Sequence, residues 1–228
     1  MENESFGGDS VDLSVVIAIR EPERIGPIEQ LFADYKQQLE QTGLTYEFVF
    51  VMEGRHPAVY EPLKRLKQAG EPVRLLVFAK WYGEATALNA GFEHASGALI
   101  LTLPAYHQID PAAIPNLIAS LGDDDMVIVR RWPRRDSRLN RLQTRFFHFV
   151  LRKTLKISFH DLTCSVRLMR RRVVESIHMY GDQQRFLPIL ASSYGYRVRE
   201  VEVPQAEQDA FPRHFSLGVY IRRLLDLL

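Results

Sequence analysis

Along the first 130 residues, runs of β-branched and aromatic residues alternate with stretches whose apolar positions fall three and four apart. Residues 13–19 (LSVVIAI) form an unbroken apolar run, the pattern of a strand buried on both faces. From 26 to 41 the period changes, and Ile28, Leu31, Phe32, Tyr35 and Leu39 line one side of a helix. The alternation continues with strands predicted at 46–52 (YEFVFVM), 73–78, 98–103 (ALILTL) and 126–130, and helices at 60–69, 84–94 (EATALNAGFEH) and 111–121. Ser96-Gly97 is placed at the end of the 84–94 helix, as a C-terminal glycine cap. Strands alternating with helices predict an α/β fold, with a mostly parallel central sheet and helices on both faces. Right-handed crossovers then put any site outside the carboxyl ends of the strands. Those ends are residues 20–23, 53–56, 79–82, 104–108 and 131–135.

The second half reads differently. Residues 130–145 (RRWPRRDSRLNRLQTR) carry seven arginines and one carboxylate. An apolar helix at 146–155, a basic segment at 166–174, a helix near 185–193 and a short strand at 196–203 follow. Arg134, Arg135, Arg138, Arg141 and Arg145 fall on one helix face, which suits either anionic lipid headgroups or plain solvent. The last stretch, 215–228 (FSLGVYIRRLLDLL), puts Leu217, Tyr220, Ile221, Leu224, Leu225 and Leu228 on one side. Such a helix either lies in a membrane interface or packs on its own domain.

Composition narrows the picture by exclusion. Lys+Arg at 29 against Asp+Glu at 28 leave a formal charge of +1, so no global field marks a nucleic-acid binder. A single cysteine, Cys164, excludes an intrachain disulfide framework and points to a reducing, cytoplasmic setting. It is read as a buried thiol. No run reaches the roughly 18 apolar residues of a membrane span. The acidic, polar residues 1–11 read as a disordered tail rather than a secretory leader. The triplet Asp123-Asp124-Asp125 lies in a turn away from the carboxyl ends and is read as solvated.

In order and interval, these segments resemble family 2 glycosyltransferases of the GT-A fold, in particular the dolichyl-phosphate mannose synthase and bacterial polyprenyl-phosphate glycosyltransferase group. The resemblance rests on SVVIAI in the first strand, EATALNAGFEHASG at 84–97 and Ala113-Ile114-Pro115. Later matches are Asp161, Thr163 and Arg167 (DLTCSVRLMRR), YGDQQRFLP at 180–188 and GYRVREVEVP at 195–204. It spans residues 12–228 and divides the chain into the tail at 1–11, a GT-A domain at 12–214 and the amphipathic helix at 215–228. It implies a nucleotide sugar as donor, a polyprenyl phosphate as acceptor and a peripheral place at the membrane, the chain ending where relatives continue into spans.

The chemical positions depart from that group. Its Asp-x-Asp after the fourth strand holds Mg²⁺ or Mn²⁺ against the donor diphosphate. Here the same place reads Pro104-Ala105-Tyr106-His107-Gln108. No metal is therefore expected, and no other cofactor. The Asp-Asp-Gly-Ser after the second strand reads Met52-Glu53-Gly54-Arg55, the base after Gly83 becomes Glu84, and a histidine before Arg185 becomes Gln184. The closing Gly-x-Ser-Lys-Tyr reads Phe211-Pro212-Arg213-His214-Phe215.

The resemblance therefore implies catalytic roles for Arg131, Arg185 and Asp161, the arginines contacting phosphate. Arg20, Glu21, Glu53, Tyr106 and Gln108 would bind the nucleotide sugar, with Glu23 as an alternative carboxylate in the first loop. Tyr106 either plugs the vacated volume or stacks on the base. Arginines, among them Arg55 and Arg213 with His214 assisting, would offset diphosphate charge in place of a metal. Two classes of function stay open. One is metal-independent transfer to a polyprenyl-phosphate acceptor at an anionic membrane surface. The other is a non-catalytic pseudo-glycosyltransferase that serves a protein partner. Neither involves nucleic acid.

Overall fold

The computed structural model describes residues 10–20, 25–133 and 159–210. Their centre is a seven-stranded sheet in the order β3-β2-β1-β4-β6-β5-β7. The strands are β1 (Leu13–Ile19), β2 (Tyr46–Glu53), β3 (Val73–Phe78), β4 (Leu99–Thr102), β5 (Met126–Arg131), β6 (Arg167–Arg170) and β7 (Val198–Val203). All neighbours are parallel except β6, which runs antiparallel to both β4 and β5. The helices are α1 (Ile28–Glu40), α2 (Pro57–Gln68), α3 (Glu84–His94), α4 (Ile114–Ala119), α5 (Arg171–Ser176) and α6 (Leu187–Ser193).

Alternation along the strands divides the core in two. Leu13, Val15, Ile17 and Ile19 of β1 face the layer built by α1, α2 and α4, whereas Val16 faces α3, α5 and α6. Each large apolar side chain buried this way contributes about 1.5–3 kcal/mol. The α1 stripe predicted from its period is the stripe buried: Ile28, Leu31, Phe32, Tyr35 and Leu39. On the other face α3 is made of small residues because it lies close to the sheet. A Cβ on Gly91 would collide with Val16 Cγ1, so only glycine fits there.

Several boundaries moved for identifiable reasons. Helix α2 starts at Pro57, since proline suits a first turn. The predicted 111–121 helix is a 3₁₀ turn at Pro111–Ala113 followed by α4, with the Asp110 carboxylate accepting from the Ala112 N–H at 3.0 Å. The basic segment 166–174 contains β6, whose four residues are too few to show a period. Gly97 is not a helix cap. A Cβ there would lie 2.5 Å from the Ser14 nitrogen, and the Gly97 N–H donates to Ser14 Oγ at 2.8 Å, so close approach to β1 demands the glycine. The aspartate turn is also corrected. Asp125 is buried, accepting from Arg172 and from the Arg197 N–H, and Asp124 pairs with Arg199 at 2.6 Å. Burial alone would raise Asp125, but these donors outweigh it and hold the carboxyl below its ordinary value.

Candidate functional site

The carboxyl ends of β1, β2, β3 and β4 open onto one edge, joined there by the end of β5 and the start of β6. Arg20 and Glu53, both exposed, follow the paired residues Ile19 and Met52. Arg55 sits over the ring of Tyr60 at 5.4 Å. Arg20, Glu53 and Arg55 are all exposed at this edge.

The turn after β4 is built inward. Tyr35 of α1, 1% exposed, donates its hydroxyl to the carbonyls of Tyr106 at 3.1 Å and Pro104 at 3.3 Å. Burial, with Tyr106 and Asp34 adding to it, pushes the phenol far above its ordinary range and keeps it a donor. His107 meets Tyr35 edge to face, with Nε2 3.2 Å from Asp34 Oδ2. Gln108 turns into the protein. Its Oε1 accepts from the Ser165 N–H at 2.7 Å and from Cys164 Sγ at 3.4 Å, and its Nε2 donates to the Tyr106 hydroxyl at 3.3 Å. Gln108 thus differs from its expected place against a diphosphate, because a buried amide needs these partners. Cys164 is a buried thiol as expected, pushed up to about 12 by burial.

This turn does not fit Mg²⁺ or Mn²⁺. Those hard ions need several oxygen ligands converging at one point, and Pro104 and Ala105 supply no side-chain ligand. Among the described residues, no group of three or more His, Cys, Asp and Glu side chains is placed to hold a metal.

The end of β5 carries the most charged cluster. Arg131, 5% exposed, forks onto Asp161 through Nε at 2.8 Å and Nη2 at 2.9 Å. Nη2 also reaches Thr163 Oγ1 at 2.7 Å, and Nη1 reaches Asp209 Oδ2 at 2.7 Å. Gln205 Nε2 donates to the same Asp209 oxygen at 2.8 Å, and Glu200 accepts from the backbone N–H groups of His160 and Asp161. Burial opposes the Arg131 charge, but Asp161 and Asp209 outweigh it and hold the guanidinium charged well above its ordinary value. Arg131 is thus paired with Asp161, and its N–H groups are spent mainly on protein carboxylates rather than left for phosphate. Arg185 is half-buried in the 3₁₀ turn Gln183–Phe186.

The contributions of Tyr35, Asp34, Gln205 and Asp209 were not read from the sequence. Asp209 alone had a signal, as a carboxylate just beyond the last strand. Glu21, Glu23, Arg213, His214, the arginine face at 134–145 and the 215–228 helix lie outside the described residues. So does the tail over 1–9. No helix among the described residues is long and apolar enough to cross a membrane.

A mostly parallel sheet broken by one antiparallel strand, with a site at its carboxyl ends, defines a GT-A glycosyltransferase fold. Solved structures share it. Glucosyl-3-phosphoglycerate synthase from Mycobacterium tuberculosis, in complex with Mn²⁺, UDP and phosphoglyceric acid, superposes with a TM-score of 0.65 at 16% identity, over 94% of this chain and 76% of that one. A mannosyltransferase from Pyrobaculum calidifontis, in complex with GDP-mannose and Mn²⁺, gives 0.63 at 16% identity, over 99% and 66%. Residues 14–177 match the profile of glycosyl transferase family 2, and the chain belongs to that family. Among curated relatives, undecaprenyl-phosphate 4-deoxy-4-formamido-L-arabinose transferase of Proteus mirabilis is 30% identical over 223 residues, 95% of this chain and 66% of the relative. That of Photorhabdus laumondii is 30% identical over 220 residues, 95% and 66%. The chain thus spans just under two thirds of the length of these relatives.

Proposed function

We propose that the protein transfers a sugar from a nucleotide sugar to a polyprenyl phosphate at a membrane surface, without a metal ion held at the turn after β4. The observation that carries this reading is the 30% identity to undecaprenyl-phosphate sugar transferases over 95% of the chain. The acceptor phosphate oxygen would form a bond to the anomeric carbon as the bond from that carbon to the diphosphate breaks, with inversion. An anionic phosphate needs no base to remove a proton, so the demand falls on stabilising the leaving diphosphate. Arg185 is assigned to phosphate, and Arg20, Glu21 and Glu53 to the nucleoside. Tyr106 stands at the mouth. Arg131, Asp161 and Gln108 are positioning residues, holding the loops that carry the others. The arginine face at 134–145 supplies contact with anionic lipid, each charge contributing about 1 kcal/mol near such a surface.

Calorimetry with UDP-, GDP- and TDP-sugars, first in EDTA and then with Mn²⁺, tests the reading. The expected result is binding of one donor in EDTA that Mn²⁺ leaves unchanged, followed by transfer of that labelled sugar to undecaprenyl phosphate. No binding in either condition overturns it in favour of a non-catalytic partner protein.

A further inference from the structure

Beneath the loops that follow β3 and precede the 183–186 turn, three polar side chains converge with their hydrogen-bonding capacity unfilled. Arg167 opens β6 opposite Thr102, the last residue of β4, so it lies at the sheet edge where the site opens. It is 4% exposed. Among the described residues its guanidinium makes one hydrogen bond, from Nη1 to the Gln184 carbonyl at 2.5 Å, and no ion pair. Buried charges are ordinarily paired, and an arginine offers five N–H groups. Gln184, 3% exposed, donates from Nε2 to Glu84 Oε2 at 3.3 Å, while its Oε1 is buried with no partner. Flipping the amide would set two acceptors against each other, so the unpaired atom is the oxygen. Burial lowers Arg167 from its ordinary value, with Glu84 and Asp161 opposing that effect.

The chemistry of a matching ligand follows from this donor and acceptor set. A bare phosphate would satisfy Arg167, leave Gln184 Oε1 unpaired and be repelled by Glu84. A cation would satisfy Glu84 and be repelled by Arg167. Neighbouring hydroxyls, each both donor and acceptor, satisfy all three. The two loops that lead into Glu84 and Gln184 each carry an exposed tyrosine. Tyr82 and Tyr180 are 55% and 72% exposed on two loops that meet at Gly83 and Gly181, where a Cβ on Gly83 would lie 3.9 Å from the Gly181 carbonyl. Large exposed rings on the loops that lead into buried polar groups suit the face and rim of a pyranose or furanose.

We infer that Glu84, Arg167 and Gln184 form a subsite for the hydroxyls of a sugar ring, with Tyr82 and Tyr180 as its lips. This rests on the transfer reading above and specifies which residues would read the sugar. On the full chain, calorimetry compares each nucleoside diphosphate with its sugar conjugate: UDP with UDP-glucose, GDP with GDP-mannose, TDP with TDP-glucose. Gln184→Leu keeps the approximate volume and removes the unpaired oxygen together with the Nε2 bond to Glu84. It lowers affinity for the bound sugar conjugate about 10- to 100-fold, leaves the parent diphosphate unchanged and does not lower Tm. Glu84→Gln lowers the same affinity with the same selectivity. Equal losses for diphosphate and conjugate make the cluster an anion site and overturn the inference, as does an unaltered affinity for both. If the unsubstituted protein binds no nucleotide, the transfer reading falls separately. Ligand-detected NMR with methyl glycosides then decides: a signal abolished by Gln184→Leu upholds the subsite, and silence overturns it.

Discussion

The turn after β4 and the end of β5 share one edge of the sheet, and both bury polar side chains. They are built on opposite principles. At residues 104–108 the contacts are mostly neutral hydrogen bonds, from Tyr35 to two carbonyls, from the Ser165 N–H to Gln108 and from Gln108 to Tyr106, with His107 beside Asp34. At β5, Arg131 joins two buried carboxylates 30 and 78 positions away in sequence. Carboxylates that hold a metal have a ligand as their partner, so losing them strands no protein group. Arg131, Asp161 and Asp209 are paired with one another, so losing the arginine takes a counter-charge from two buried carboxylates at once. A binding turn is thus free to be rewritten, whereas a self-paired cluster is held in place by the cost of breaking it.

The sharpest way to break the comparison is Arg131→Ala, which takes the Arg131 cation away from the buried Asp161 and Asp209. We expect a loss of about 3–5 kcal/mol, measured by urea unfolding. A loss below 1 kcal/mol would place the two regions on the same footing. Next, Pro104→Asp with Tyr106→Asp restores two carboxylates at the turn. Mn²⁺ should then raise nucleotide affinity at least about tenfold by calorimetry, with no such effect on the unsubstituted protein. A variant still indifferent to Mn²⁺ would mean that more of the site has changed than the two carboxylates.

Tyr35→Phe removes one donor from two carbonyls and should cost about 1 kcal/mol in thermal or urea unfolding. Donor binding should remain as it was, since Tyr35 faces inward. The smallest effect is reserved for Cys164. Its folded-state pKa is raised to about 12 from an ordinary 9.0, so its stabilising contribution is whole below pH 9 and is lost as pH rises towards 12. Cys164→Ala should flatten that alkaline decline, and the native thiol should resist alkylation at pH 8 until the chain unfolds.

What the sequence disclosed and what it hid divide along the same line. The runs at 13–19 and 46–52, the α1 stripe and the small-residue helix α3 carry their signals in adjacent residues, and each lies where the period put it. Strand β6 was hidden because RLMR is four residues long and bounded by arginines. The loss of the metal-binding motif at Pro104–Tyr106 was plain in the sequence. What fills the turn was not, because Tyr35 stands 71 residues from Tyr106 and reads there only as part of an amphipathic stripe. Arg131 was singled out as a functional residue from its place after β5. That its charge is spent on Asp209 depends on a contact no period or motif encodes.

The reach of Arg131 to Asp209 also separates two units that are easily confused. The stretch matched by the family profile closes at residue 177. The stretch that must fold together runs at least to Asp209, because β7 completes the sheet beside β5 and Glu200 braces the Asp161 backbone. A chain cut after Ile177 would keep the whole profile match and lose an outer strand together with one of the two counter-charges of the buried Arg131. In this molecule the boundary of the family profile falls inside the stretch that folds as one unit.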